Sequence, residues 1–262
     1  MQLEINGLST KVDLSGPVDA PVIVLSHSLA LDADMWSPQL PALAARFRVL
    51  RYDTRGHGGT EAPRTSFTLE DLADDVAAIL VALGIPNVHF IGLSMGGMIG
   101  QTFALKYPHL LGKLVLSNTL SAYGPESESM WQGRIDAASG PAGVEPLVEP
   151  TVTRWFTEQF RKTELDTVEW VRHLIRRTSA EGFIECSRAL MKLNLTARLP
   201  AIQAPTLIIA GRQDPTTTVE GAQVIAAGIP DASLKVIEQA AHISNIEQPL
   251  AFESLLLEFL TR

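Results

Sequence analysis

The chain has 262 residues, 46% of them hydrophobic, with a formal net charge of −8 and a pI near 5.3. That is enough apolar material for one large core, and the acidic balance argues against nucleic acid or an anionic membrane as a partner. A single cysteine, Cys186, cannot build a disulfide framework, and no apolar stretch approaches the ~20 residues of a membrane span.

The N-terminus, Met1-Gln2-Leu3-Glu4-Ile5, carries neither a basic nor an apolar leader region, so the expectation is a soluble cytoplasmic protein. Leu3 to Leu14 alternates weakly and predicts an antiparallel pair at a sheet edge. Val22 to Leu25 is a short β-branched run, followed by a helical pattern from Trp36 to Ala45. Phe47 to Tyr52 reads as the next strand, and Leu69 to Leu83 as a helix with a Phe67-Thr68 start and a Gly84 stop. Val88 to Leu93 is again strand-like and leads into an amphipathic stretch, Met95 to Tyr107. Leu114 to Asn118, Thr206 to Ala210 and Leu234 to Ile237 complete six runs suited to a buried parallel sheet, and Pro249 to Leu260 predicts a closing helix. The fold class is α/β, a mostly parallel central sheet flanked by helices.

One region breaks this rhythm. Between Asn118 and Pro205 the patterns are helical, rich in Trp, Arg and Glu, and broken at Gly140-Pro141-Ala142-Gly143 and Glu145-Pro146. The expected organisation is a core of residues 1–119 and 200–262 with a helical lid, 120–199, over the C-terminal edge of the sheet. Ligands bind at that edge in open α/β sheets.

Gly92-Leu93-Ser94-Met95-Gly96 lies between a strand-like run and a helical one, the setting in which Gly-x-Ser-x-Gly forms a nucleophile elbow. The turn strains the serine backbone and brings strand and helix too close for flanking side chains. Ser94 then needs a base, and a histidine oriented by a carboxylate is the usual solution. Of six histidines, His89 lies inside a strand, His109 past a helix end, His173 in the lid, and His27 and His57 in turns suited to structural hydrogen bonds. His242 follows the last strand and precedes the closing helix, on the same sheet edge as the elbow. The acid should lie between Ser94 and His242 in the chain. Ser117-Asn118 offers no carboxylate, whereas Asp214 follows the Thr206 to Ala210 strand. Asp53 precedes the nucleophile and reads as part of a hydrogen-bonded loop. Two oxyanion donors are expected, the backbone N–H of Met95 at the helix start and that of Leu29 in the loop after the first parallel strand.

Other chemistries fit less well. In a dinucleotide fingerprint the central glycine would stand where Ser94 does. There is no His-Glu-x-x-His, Walker loop or cysteine cluster, so neither metal nor cofactor is expected. Cys186 has no redox partner and reads as structural.

These residues resemble the α/β-hydrolase family, and more narrowly the 3-oxoadipate enol-lactonases of the β-ketoadipate route of aromatic catabolism. The resemblance spans nearly the whole chain. It is carried by Leu25-Ser26-His27-Ser28-Leu29 with Asp34-Met35-Trp36, by Phe47 to Gly58, by Gly92 to Gly97, and by Ala241 to Glu247. The elbow and the Arg55-Gly56-His57-Gly58 loop are common to the superfamily, while Arg51 to Thr54 and His242 to Glu247 favour the lactonase branch. His27 and Ala30 depart from that branch, which commonly has Asn and Gly there, and the lid matches least. The resemblance implies Ser94 as nucleophile, His242 as general base then acid, and Asp214 as its orienter, acting on a small lactone without a cofactor. A lactone bearing a free carboxylate asks for a cation in the lid, and an arginine grips a carboxylate best. Arg134 is the first choice among Arg134, Arg154, Arg161, Arg172, Arg176, Arg177, Arg188 and Lys192, with Trp131 and Trp155 as pocket walls. A general short-chain carboxylesterase and a ligand-binding protein on a hydrolase fold are the alternatives. The oligomeric expectation is a monomer or homodimer.

Overall fold

The computed structural model describes residues 1–62 and 65–262. Eight strands form a single sheet: β1 (Gln2–Ile5), β2 (Leu8–Ser15), β3 (Val22–Ser26), β4 (Arg48–Tyr52), β5 (Val88–Leu93), β6 (Leu111–Ser117), β7 (Thr206–Gly211) and β8 (Ala232–Ile237). Their order is β1-β2-β4-β3-β5-β6-β7-β8. β1 and β2 are the antiparallel pair foreseen at the edge, closed by Asn6 and Gly7 at φ of 50° and 82°. Two positive φ values are what a two-residue hairpin turn demands. From β4 onward every neighbouring pair is parallel, and the central strands are buried on both faces, as their unbroken apolar runs require.

The helices are α1 (Leu40–Ala44), α2 (Leu69–Ala82), α3 (Met95–Lys106), α4 (Glu128–Ala138), α5 (Val148–Trp155), α6 (Glu158–Thr163), α7 (Leu165–Arg176), α8 (Ala180–Met191), α9 (Val219–Gly228), α10 (Ser244–Glu247) and α11 (Pro249–Leu260). α2 starts at a capping box, with Thr68 and Asp71 satisfying each other's backbone N–H, and stops before Gly84 at φ 65°. The continuous helix expected over Trp36 to Ala45 is instead a 3₁₀ turn, Ala33–Trp36, followed by the short α1. Pro38 and Pro41 have no N–H to donate backward, and only the first turn of a helix tolerates that loss. β6 begins three residues before the expected Leu114 and stops before Asn118, whose φ of 43° leaves the strand conformation.

Between β6 and β7 the chain forms five α-helices, α4 to α8, and no strand among the described residues. α4 packs on α8 and α5 on α7, and the bridge Ala122↔Asn194 draws the two ends of this insertion together. Arg177 ties it to the core through Asp32 at 3.2 Å and Asp34 at 3.0 Å. Ser179 donates to the Gly56 carbonyl from its N–H and its hydroxyl, both at 3.0 Å. There the backbones touch, because a Cβ on Gly182 would lie 2.6 Å from the Gly56 Cα.

Candidate active site

Four loops meet at the C-terminal ends of β3, β5, β7 and β8, which the sheet register holds level. Ser26 pairs with Gly92, Leu93 with Ser117, and Gly211 with Ile237. The elbow follows β5. Ser94 has φ 57° and ψ −114°, a left-handed strain on a non-glycine residue. The crossing is as tight as the motif implies. A Cβ on Gly92 would sit 2.1 Å from the Gly96 carbonyl oxygen, and one on Gly96 would sit 2.1 Å from that of Ser26. The strained turn is braced from β6, since the Ser94 N–H donates to the Ser117 carbonyl and the Thr119 hydroxyl to the Ser94 carbonyl.

The structure brings Ser94, His242 and Asp214 together. His242 Nε2 lies 3.0 Å from Ser94 Oγ, and His242 Nδ1 lies 2.8 Å from Asp214 Oδ2. His242 and Asp214 are buried, while Ser94 keeps 9% of its surface exposed, on a pocket. Asp214 accepts from five donors: His242, the N–H groups of Thr216 and Thr217, the Thr217 hydroxyl, and Asn118 Nδ2. Burial alone would raise its carboxyl pKa, but the His242 pairing and these bonds outweigh that and hold it at about 2. Asp53 is committed elsewhere, accepting from the N–H groups of Ala33 and Gly59 at 2.8 Å each.

Asn118 had offered no signal beyond a polar pair at a strand end. It nevertheless donates to Asp214 at 3.0 Å and to the Ala241 carbonyl at 3.1 Å, and accepts from the Ser244 hydroxyl at 2.6 Å. It thus joins the loop of the acid to the loop of the base. Glu247 is a second organiser. Its carboxylate accepts from the Ala241 N–H at 2.7 Å and from the Thr157 N–H and hydroxyl at 3.0 and 2.5 Å, linking the His242 loop to the helical insertion. The Ile243 N–H reinforces this link by donating to the Trp155 carbonyl. Glu247→Ala leaves three donors without their acceptor, and the expected cost is about 3 kcal/mol, or roughly 6–12 °C in Tm. Glu247→Gln, which keeps one acceptor oxygen, should lose less. Thermal unfolding of both variants checks this, and a loss under about 1 kcal/mol for Glu247→Ala would contradict the bridge.

In the turn after β3 the backbone donors sort themselves. The Ser28 N–H faces Met35 Sδ, the Ala30 N–H donates to His57 Nε2 and the Leu31 N–H to the Ser28 carbonyl. The Leu29 N–H has no partner among the described residues, and neither has that of Met95, the first residue of α3. Two N–H groups beside Ser94 are therefore free to meet an oxyanion.

The pocket above Ser94 measures about 160 Å³, well below the roughly 300–1,000 Å³ of sites for drug-sized ligands. Ser28, Leu29, Ala30, Ser94 and His242 form its floor, and Trp131, Arg134, Arg154 and Trp155 line it from the insertion. Trp155 stacks on the His242 ring at 6.1 Å, and the Arg134 guanidinium lies 5.0 Å from the Trp131 ring centre. Arg154 was one of several cations in the insertion and had no distinguishing sequence signal; the fold places it on the same pocket as Arg134. Neither arginine has a carboxylate partner among the described residues. Burial lowers both their pKa values, that of Arg154 to about 10 with help from the charge of Arg134. Trp131 Nε1, Thr216 Oγ and Ser28 Oγ are buried polar atoms without a protein partner, and all three residues line the pocket. Such a site suits a small anion rich in acceptor oxygens. Of the other cations in the insertion, Arg172 pairs with Glu149, Arg176 with Glu145 and Arg188 with Glu185. Cys186 is buried, its thiol pushed up in pKa by burial, which agrees with a packing role. No helix among the described residues is long and apolar enough to cross a membrane.

The chain belongs to the α/β-hydrolase fold family, whose sequence model matches residues 21–249, and it is a hydrolase of that fold. It is 38% identical over 237 residues to 3-oxoadipate enol-lactonase 2 of Acinetobacter baylyi, covering 90% of this chain and 87% of that one. The crystal structure of the enol-lactonase from Burkholderia xenovorans is similar throughout, with a TM-score of 0.96 and 35% identity over 100% of both chains. A candidate carbamate hydrolase, RutD, of Agrobacterium fabrum is 33% identical over 92% of this chain and 94% of its own.

Proposed function

We propose that this protein is a serine hydrolase that opens a small enol-lactone bearing a free carboxylate, of the 3-oxoadipate enol-lactone type. The observation that carries the reading is a single small pocket holding Ser94, His242 and two half-buried arginines without carboxylate partners among the described residues. Lactonase relatives support the same substrate class.

His242 takes the Ser94 proton as Oγ attacks the lactone carbonyl, and Asp214 orients the ring and stabilises its positive charge. The oxyanion forms against the N–H groups of Leu29 and Met95. Collapse expels the enolate, which stays tethered in the acyl-enzyme and takes its proton from His242. An enolate leaves more readily than an alkoxide, so it needs little acid assistance. Water, deprotonated by His242, then releases the acid from Ser94, and the enol tautomerises to a ketone. Residues 1–119 and 200–262 supply the chemistry, and the lid of residues 120–199 chooses the substrate through Arg134, Arg154, Trp131 and Trp155.

Substrate comparison tests this. The wild-type protein should show a higher kcat/KM for the enol-lactone than for a neutral aryl acetate or a carbamate. Arg134→Ala and Arg154→Ala should each raise KM for the carboxylated lactone roughly 10- to 100-fold, the worth of a charge-assisted hydrogen bond. The acetate should change by less than about threefold in these variants. Equal effects on both substrates would remove the arginines from the site. A wild-type preference for the acetate would favour a short-chain carboxylesterase, and a stoichiometric burst without turnover a ligand-binding protein.

A further inference from the structure

His27 and His57 are completely buried, lie outside the Ser94–His242–Asp214 constellation, and have ring centroids 5.2 Å apart with their planes tilted by 47°. Each uses both of its nitrogens. His27 Nε2 accepts from the Thr54 N–H at 2.8 Å, which leaves the proton on Nδ1, and Nδ1 faces the Ser28 carbonyl at 2.8 Å. His57 Nε2 accepts from the Ala30 N–H at 3.2 Å, so its Nδ1 proton points at the Arg55 carbonyl at 3.0 Å. The two rings therefore hold the two successive peptide groups on either side of Leu29. One is held by its carbonyl, the other by its N–H.

A peptide unit is planar and trans, so its carbonyl and N–H point in opposite directions. Fixing the Ser28 carbonyl on the His27 side aims the N–H of the same unit, that of Leu29, the other way, onto the pocket that Ser28, Leu29, Ala30 and Ser94 line. The Ser28 carbonyl also closes the turn by accepting from the Leu31 N–H at 3.1 Å, but that bond moves with the turn. The histidines tie the turn to something outside it, the loop after β4. Such a tie has strain to resist, because Ala30 sits at φ 64°, a conformation costly for any residue but glycine. We infer that His27 and His57 are positioning residues: as a neutral pair they lock the Ser28–Ala30 turn with the Leu29 N–H aimed at the carbonyl attacked by Ser94. This rests on the reading of Leu29 as an oxyanion donor.

The surroundings keep the pair neutral. Burial lowers the pKa of each ring, that of His57 to about 3. Asp53 and Asp32 oppose this at His27, but Asp53 is engaged by the Ala33 and Gly59 N–H groups, with Lys11 Nζ at 3.8 Å, and Asp32 by Arg177. Tyr52 also neighbours His27, its ring 6.4 Å away. A proton on either Nε2 would face a backbone N–H and break the clamp.

The test uses the full chain with His27→Ala, His27→Asn and His57→Gln. Readouts are kcat and KM on an aryl acetate, and Ki for a trifluoromethyl ketone, whose hydrated or serine-bound oxyanion needs the same donors. Outright loss of an oxyanion donor costs about 10²–10³ in kcat, and a misaimed one should cost about 10- to 100-fold. His27→Ala is expected to lose that factor in kcat with KM within about twofold, and the ketone Ki should rise by the same factor. His27→Asn, which keeps an N–H donor, should recover most of both. The proposal is overturned if the loss tracks the folded fraction while Ki per folded molecule is unchanged, or if Asn does no better than Ala. If His27→Ala does not fold, His57→Gln and His27→Asn decide by the same criteria. A crystal structure of a folded variant gives the orientation of the Ser28–Leu29 peptide directly: turned in His27→Ala or His57→Gln supports the clamp, unturned overturns it. That result stands even if a fluorophosphonate fails to label Ser94 in the wild type, which would sink the hydrolase reading instead.

Discussion

Ser94→Ala is expected to lower kcat by roughly 10⁶-fold on any ester the protein hydrolyses, and adding His242→Ala should cost almost nothing more. The reason is that the two side chains act as a unit. Oγ, 3.0 Å from Nε2, is a nucleophile only while that nitrogen can take its proton. The imidazole in turn has nothing to deprotonate without the hydroxyl. Single-turnover kinetics with p-nitrophenyl acetate on the two single variants and the double variant measure the coupling. Losses that multiply, or a Ser94→Ala loss below about 10²-fold, would mean that another group carries the reaction. The strained backbone at residue 94 is unaffected by the change of side chain, so folding should be preserved, and thermal unfolding provides that control.

Asp214→Asn should cost about 10⁴-fold in kcat while leaving KM nearly unchanged. Asp214 receives five donors and offers none, an arrangement only a carboxylate satisfies. An asparagine must turn its NH₂ toward one of them. If it faces His242, the ring takes the other tautomer and presents a proton to Ser94 instead of a lone pair. The same carboxylate carries a stability effect. Its folded pKa of about 2 lies below the ordinary carboxylate value of 3.8, so the folded state binds the proton less tightly than the unfolded chain does. The stabilisation is complete above pH about 3.8, fades as the pH falls toward about 2, and amounts to about 2 kcal/mol. Denaturant midpoints across that window should fall for the wild type and flatten for Asp214→Asn. A parallel fall in both proteins would assign the acid sensitivity to other groups.

The elbow could be read from one pentapeptide because its requirements are local. Gly92 and Gly96 flank Ser94 since a Cβ at either would collide with backbone, and the alternation of strands and helices needed only short windows of apolar pattern. Chain order then sufficed for Asp214 and His242, given that the parallel strands end on one edge. Leu29 could be placed by position, but its particular fitness came from the fold. Its neighbours' N–H groups are taken, two of them by partners outside the turn, and its own is free.

What no window could reveal are the contacts between side chains brought together from far apart. Asn118 meets Asp214 across 96 positions, and Thr157 meets Glu247 across 90. Arg154 had the same sequence signature as its solvated neighbours and was separated from them only by packing. Residue type and spacing thus determined the strained turn at Ser94 and the chain order of Ser94, Asp214 and His242, because these follow short-range or ordinal rules. The tertiary structure decided which cations face the pocket and which peptide N–H is aimed into it. Those outcomes depend on burial and on the direction of individual bonds, and both exist only once the insertion has closed over the sheet.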